Sequence, residues 1–572
     1  MAASGPPLAA QSAPREIPGV CAEGRISRIE VDNRSVLPEA SEVSDLVRWG
    51  FRLANRLHVR TRPGFIRGEL LFAEGDCFDP LLMAESQRLL ERLSFIAGAR
   101  VVAEDDGAGG KRVRVETRDE WTTKVDVGVT YDEGLNLETL QFTERNFLGR
   151  GLFVEGIRRQ RLEQRSRVFG LGVPSLVGRT SAGLRFASAR DGHSFAESLS
   201  HPFAGDVGRL SAREGFSRGT ALFAYATDDQ EAFSHALVPV RQDALEIAAA
   251  TRFGDPAASL ILGASLTREA FVPRGVEIAF GGAFDERAPP AAPLPNALAR
   301  QLRPLAATRV AAHVGMRHYR YATYRGLDAV REEQTVGLGF LVGGTLGKSV
   351  PVLTPAGAPA VKDLFARLHG SMGVAAGPLL LHGGTTVEAR REGSAWSDVI
   401  AEADLVAYLQ GRFLPGQVVF ARASAAGGWR TTSPYQLTLG GREGVRSLGN
   451  DRFPGGRQLL FVLEDRLRFG WTPGKAVDLG ATIFGDWGRM WPGDAPYGTD
   501  SGWRGAAGFG LRVAIPSASR NIWRPDLVFP VGPGAGGGPI FRVTFELNRM
   551  RTGFFTPDAA RSRRFNLGPD RF

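Results

Sequence analysis

Along much of the chain, apolar and polar residues alternate with a period of two. In 121–131, Trp121, Thr123, Val125, Val127, Val129 and Tyr131 share one face; Thr122, Lys124, Asp126, Gly128 and Thr130 share the other. The pattern returns at 401–413, where Glu402, Asp404, Tyr408, Gln410 and Arg412 oppose Leu405, Ala407 and Leu409. It returns at 477–489, at 503–515 and at 541–547, where Phe541, Val543, Phe545 and Leu547 oppose Arg542, Thr544, Glu546 and Asn548. At 461–469, Glu464, Arg466 and Arg468 lie on one face and Phe461, Leu463, Leu467 and Phe469 on the other. The core of a water-soluble protein has little use for three charges in a row on one strand face. In a membrane barrel, lumen-facing and lipid-facing positions alternate in segments of about ten residues between turns. The pattern therefore predicts an antiparallel membrane β-barrel over 119–550, with a tail at 551–572. Between about 205 and 395 the alternation is poor, so some segments there are expected to be long loop hairpins. The Pro-rich 289–295 and the stretch 348–362 read as loops.

The first part of the chain has a different texture. Residues 22–118 read as a small α/β unit. Ile26, Ile29 and Val31 mark a strand, and Leu46, Trp49, Leu53 and Leu57 have helical spacing within 43–58. Asp79 and Pro80 form an N-cap and first-turn signal for a helix reaching Leu93. Strands follow at 99–104 and 111–117. Residues 1–21 read as disordered or as a signal remnant: they have neither a basic n-region nor an apolar h-region, although the small residues at 9–13 would suit a leftover cleavage region.

Composition narrows the classes. No run of 18 apolar residues exists, which removes a transmembrane helix and leaves strands. The net charge is +9 and almost all of it is Arg. That balance suits nucleic acid, anionic lipid or acidic partners. With no block of five basic residues, no nucleic acid is expected, and a charged lumen is preferred. The two cysteines, Cys21 and Cys77, both lie in the N-terminal part, either bridged in an oxidising compartment or free and buried.

Enzyme readings are poor, and no cofactor or metal is expected. His369-Gly-Ser371-Met-Gly373 has His where a nucleophile elbow needs Gly. Gly337, Gly339 and Gly343 lack dinucleotide-loop spacing. The histidines show no metal-ligand spacing. Trp471, Trp487, Trp491, Trp503 and Trp523 read as interfacial girdle residues.

The candidate site lies around 430–457, a loop too long and too rich in Gly and Arg for an ordinary turn. Counting by two places Phe484, Asp486 and Gly488 on the lumen face with Asp478. A carboxylate in a narrow lumen is costly to desolvate, and an Arg is its best partner. On spacing alone, the better reading of Asp486 is one of many solvated lumen acids. Strict alternation points Asp465 outward, near an interface or at a bulge.

These motifs, taken in order, resemble the Omp85 superfamily of outer-membrane proteins, the surface-antigen D15 type. Val445-Arg446-Ser447-Leu448 resembles the family's Val-Arg-Gly-aromatic tetrad, with the Gly and the aromatic replaced. Glu464-Asp465-Arg466 looks like its Glu-x-Arg strand, and Phe484-Gly485-Asp486-Trp487-Gly488 like its Phe-x-Asp-x-Gly strand. Gly508-Phe-Gly-Leu-Arg-Val resembles its penultimate strand, and Asn146-Phe-Leu-Gly-Arg-Gly151 its second hairpin turn. In the N-terminal unit, Ile66-Arg-Gly-Glu-Leu-Leu-Phe, Glu74-Gly75-Asp76, Phe78-Asp79-Pro80, Glu85-Ser86 and Leu89 to Phe95 resemble a single POTRA domain, with an insertion at about 41–62. The resemblance implies a barrel of about 16 strands, whereas by-eye counting reaches about 20. It implies the outer membrane of a Gram-negative bacterium, with the POTRA unit in the periplasm and the loop folded inward. Arg446 would then meet Asp486, with Glu464 nearby and Val445, Phe484, Gly488 and Arg466 around it. It further implies a monomer in outer-membrane lipid that inserts or translocates unfolded protein clients with periplasmic or lipoprotein partners. Strand addition at the POTRA edge would capture the client, and the seam of 121–131 against 541–550 would admit it. A passive pore for small solutes is the alternative, and a surface adhesin or structural anchor a more distant third. In the family's fold, Cys21 and Cys77 would lie close enough to bridge.

Overall fold

The computed structural model describes residues 21–36, 56, 58–131, 135–159, 166–228, 233–280, 286–291, 293–353, 359–411, 413–440, 444–471, 477–515, 517–519, 522–533, 536 and 538–546. The helical spacing at 43–58 falls almost wholly outside them. So do the side chains of 125–139, 159 and 545–546, and all of 547–572. No described helix is long and apolar enough to cross a membrane.

The N-terminal unit runs β1 (Ile26–Arg34), α1 (Pro63–Gly68), α2 (Pro80–Arg92), β2 (Ile96–Asp105) and β3 (Lys111–Asp119). The sheet order is β1-β3-β2, with β1 parallel and β2 antiparallel to β3. Apolar positions of both helices and all three strands make its core, including Ile26, Ile66, Leu90, Val113 and Val115. Asp79 caps α2 by accepting the Leu81 N–H at 2.8 Å. Cys21 and Cys77 are bridged, with Cα atoms 5.2 Å apart.

The remaining strands close into an antiparallel barrel whose ring is completed between Thr123–Tyr131 and Ile540–Glu546. Ala258–Pro273 pairs directly with Leu305–Arg325, so the hairpin of Glu277–Phe280 and Glu286–Ala288 stands outside the wall, and among the described residues twenty strands remain in it. That is the number reached by counting segments, above the 16 implied by resemblance. Every poorly alternating segment between 205 and 395 except this hairpin is a wall strand, not a loop hairpin. For the strands from 210 to 325 the physical reason is an apolar filling on the lumen side: Phe223, Tyr225, Val238, Val240, Phe271 and Leu305 pack around Leu298 of α3 (Asn296–Gln301). Strands that are apolar on both faces lose their period of two.

Elsewhere the wall separates as expected. Val314, Met316, Leu368, Met372, Leu463, Ile483, Phe509, Leu511 and Val543 are exposed on the outside. Glu388, Glu402, Asp404, Glu464, Arg466, Asp478, Asp486, Arg512, Arg524 and Asp526 are buried inside. Asp465 does face outward. The register there is regular, without a bulge, and both its oxygens accept from Gln417 Nε2 at 2.9 and 2.8 Å. Trp471, Trp487, Trp503 and Trp523 are exposed.

The N-terminal unit docks across the barrel end from which the first strand departs, here the proximal end. Arg62 N–H donates to Gly149 O at 2.8 Å, Ser175 Oγ to Glu69 at 2.6 Å and the Asp206 N–H to Glu85 at 2.8 Å. Arg118 donates to Glu332 at 2.8 Å and to Ala518 O at 3.1 Å. These partners belong to turns and one strand end spread around the rim, so the unit lies across the opening rather than beside it.

Candidate functional site

The loop 430–457 enters the lumen from the distal end. Its entry is fixed by Asp398, whose carboxylate accepts from Thr432 N–H and Oγ1 at 2.7 Å each and from Ser433 N–H at 3.0 Å. Gln301 of α3 receives the Tyr435 N–H at 3.0 Å and donates to Thr431 at 2.7 Å. Gln436 mimics a strand neighbour, accepting from Ala226 N–H at 2.7 Å and donating to Ala226 O at 3.0 Å. Tyr435, Leu437, Leu439 and Val445 are fully buried against wall residues such as Tyr408, Phe420, Leu460 and Phe484. An apolar plug edge holding down a charged tip explains why the loop does not float in water.

At the tip, Arg446 Nε and Nη2 form a bidentate fork on Asp486 at 2.8 Å each, and its backbone N–H adds a third bond at 3.1 Å. Nη2 also donates to Glu464 at 2.9 Å, and the guanidinium lies 3.7 Å above the Phe484 ring. This is the charge-assisted planar recognition that Arg provides and Lys does not. Glu464 is shared: Arg466 donates to its second oxygen at 2.7 Å and Arg524 to its first at 3.0 Å. Arg524 also lies 3.4 Å from Asp526. Arg542 donates to the Arg446 carbonyl at 2.7 Å. The four arginines 446, 466, 524 and 542 thus share a water-poor cluster with Glu464, Asp486, Asp526 and Asp328.

Gly488 is the floor under the tip. A Cβ there would lie 2.8 Å from Leu439 Cδ1 and 2.9 Å from Val445 Cγ2. We expect Gly488→Val to cost about 1–3 kcal/mol by overpacking and to lift the tip. Limited proteolysis of 430–457 would check this, with Gly488→Ala milder.

A second inward feature meets the same cluster from the proximal end. The turn 326–332 tucks Leu327 into the core that holds the loop. Arg466 donates to Leu327 O at 2.9 Å and lies 3.4 Å from Asp328 Oδ1, which also accepts from Tyr408 Oη at 2.8 Å. Four residues on, Glu332 holds Arg118 of β3. Polar contacts therefore link Arg446 through Glu464 and Arg466 to one end of the turn, whose other end holds the N-terminal unit.

All seven residues singled out in the sequence (Arg446, Asp486, Glu464, Val445, Phe484, Gly488 and Arg466) meet here. Sequence reasoning missed Asp328, Asp398, Gln301, Arg524 and Asp526, and it placed Arg542 on the polar strand face without joining it to the site. Alternation in Ile522–Val531 marks Arg524 and Asp526 as lumen residues; nothing local marks Asp328. Ser371 is a wall residue bonded to Tyr319 Oη at 3.0 Å.

No family model matches the chain, and no curated protein does. Solved structures similar to it include BamA from Haemophilus ducreyi lacking POTRA domains 1–3, at 13% identity and TM-score 0.34, covering 90% of this chain and 84% of that one. CdiB from Escherichia coli is similar at 13% identity and TM-score 0.38, covering 91% and 75%. CdiB from Acinetobacter baumannii is similar at 10% identity and TM-score 0.38, covering 89% and 70%.

Proposed function

We propose that this protein is an Omp85-type outer-membrane barrel that inserts or translocates unfolded protein clients, with its N-terminal unit in the periplasm acting as a single POTRA domain. One observation carries the reading: the lumen is occupied from both ends, by the loop 430–457 from the distal side and by the turn 326–332 with its docked N-terminal unit from the proximal side. A passive pore needs an open lumen. Two plugs that meet on one ion cluster suit a barrel that stays shut until a client moves them.

Among the described residues, the N-terminal sheet pairs no strand along the outer edge of β2, which suits capture by strand addition. The outer edge of β1 is already used: Ile29 N–H donates to Glu74 at 2.8 Å and Ile29 O accepts from Arg67 at 2.8 Å. On β2, Gln87 covers Val101 N–H at 3.2 Å, and Glu104 and Asp105 beyond it are exposed. A client strand would pair there.

The test is reconstitution into liposomes with a urea-denatured outer-membrane barrel as client, comparing the full chain with one lacking residues 1–118. The truncated barrel should still insert, because its strands pair with one another, and should conduct more than the full chain. Client assembly should fall. Unchanged client assembly by the truncated form would remove the transport reading and leave a pore.

A further inference from the structure

On the outer wall, toward the distal end, a recess of about 270 Å³ is lined by Phe186, His193, Phe195, Arg218, Arg241 and Arg274. The register shows that it faces lipid. Phe186 lies opposite Phe195, Phe195 opposite Arg218, and Arg218 opposite Asp243, all on the face that carries Phe216, Leu245 and Ile247. Arginine on the lipid side of a barrel is costly at mid-bilayer and nearly free of cost at the interface. Three arginines here therefore belong at headgroup level. The wall agrees: Arg268 and Lys348, both exposed, follow Leu266 and Leu346 at the upper margin of the apolar belt.

We propose that this recess binds the phosphorylated headgroup of a lipid in the distal leaflet. Asp243 sits behind the arginines, 3.2 Å from Arg218 Nε and 3.9 Å from Arg241 Nε, so both engage it through Nε, leaving the guanidinium tips for an anion. Arg218 and Arg241 remain 60% and 47% exposed. The next acid on this face, Glu197, lies opposite Phe216, outside the recess lining. His193 stacks on Phe186 with centroids 6.1 Å apart, giving the recess an apolar side wall that ends in a polar tip. The margins are braced: Arg287 bonds Asp191 at 2.8 Å and Glu277 at 3.0 Å, tying the turn before His193 to the hairpin after Arg274. Next to the arginines the face carries Phe216, Leu245, Ile247 and Leu199 for acyl chains, with the carboxyls of Glu197 and Glu214 opposite Phe216 and Ile247. Guanidinium forks match phosphate oxygens in geometry as well as charge. The inference rests on the barrel spanning a membrane and is independent of whether it handles protein clients.

Native mass spectrometry of the detergent-solubilised full chain tests it, with diphosphoryl lipid A, phosphatidylcholine and inorganic phosphate as probes. Diphosphoryl lipid A should be retained over phosphatidylcholine, and Arg218→Ala/Arg241→Ala/Arg274→Ala should lose at least about tenfold in affinity, the equivalent of one strong charged contact. Heat modifiability of that variant verifies that the barrel still folds, and Arg268→Ala, at the margin but outside the recess, should bind as wild type. Competition by millimolar inorganic phosphate would make the site one for free phosphate and overturn the lipid assignment. Equal retention of both lipids, or unchanged lipid A binding by the triple variant, would overturn the site.

Discussion

Arg446→Ala is expected to free the tip of the loop 430–457 while leaving the barrel folded. Removing the guanidinium strips Asp486 of its bidentate partner, whereas Glu464 keeps Arg466 and Arg524. The penalty therefore falls on Asp486, which is fully buried. Breaking a buried pair in this way costs roughly 3–5 kcal/mol. The loop is anchored separately at Asp398, Gln301 and Gln436, so the loss should appear as tip mobility rather than detachment. Single-channel recordings should show larger and noisier conductance, and protease should cut within 430–457. Asp486→Asn should be milder, because Arg446 keeps Glu464, and adding it to Arg446→Ala should make matters no worse. A silent Arg446→Ala channel with a protected loop would remove the tip from the gating role.

The second large effect should be one of stability alone. Arg309 is fully buried and binds Asp363 through Nε at 2.8 Å and Nη2 at 2.5 Å, with Nη1 on Glu269. Arg390 lies 2.8 Å from the same Glu269 oxygen. Arg309→Ala leaves Asp363, itself fully buried, without its cation, and Glu269 with only one. The expected loss is about 3–5 kcal/mol in urea unfolding followed by tryptophan fluorescence. Arg309→Lys should recover part of it, since the charge returns without the fork. Conductance of the folded fraction should match wild type, because the bonds of Arg309 go to the wall residues Asp363 and Glu269 and not to the described residues of either plug. An Arg309→Ala barrel as stable as wild type would mean the cluster is hydrated in solution.

The contrast between these two arginines also marks what the sequence could reveal. Arg446, Glu464 and Asp486 were legible because two signals agreed: strict alternation placed both acids in the lumen, and motif order supplied the loop. Arg309, Glu269 and Asp363 were illegible because they sit in the region where the lumen is lined by Phe223, Tyr225, Val240 and Phe271. With apolar residues on both faces, the period of two vanished, and wall strands read as loops. Alternation gives a residue's face but not its height. Which acid meets which base depends on the stagger between strands, a property of the closed ring and not of any one segment. Asp328 shows the limit: it lies in a turn that would ordinarily face solvent, and only closure of the barrel reveals that it reaches Arg466.

The claim that the loop must move for a client to pass is tested most directly by locking it. In Val445→Cys/Gly488→Cys, the two thiols would join the tip to the wall strand, since a Cβ at 488 comes within 2.9 Å of the Val445 side chain. The rate of client assembly in liposomes is measured oxidised and then reduced, with wild type through the same cycle as the control for Cys21–Cys77. A locked loop should stop assembly and reductant should restore it. Assembly at the same rate in both states would contradict the claim.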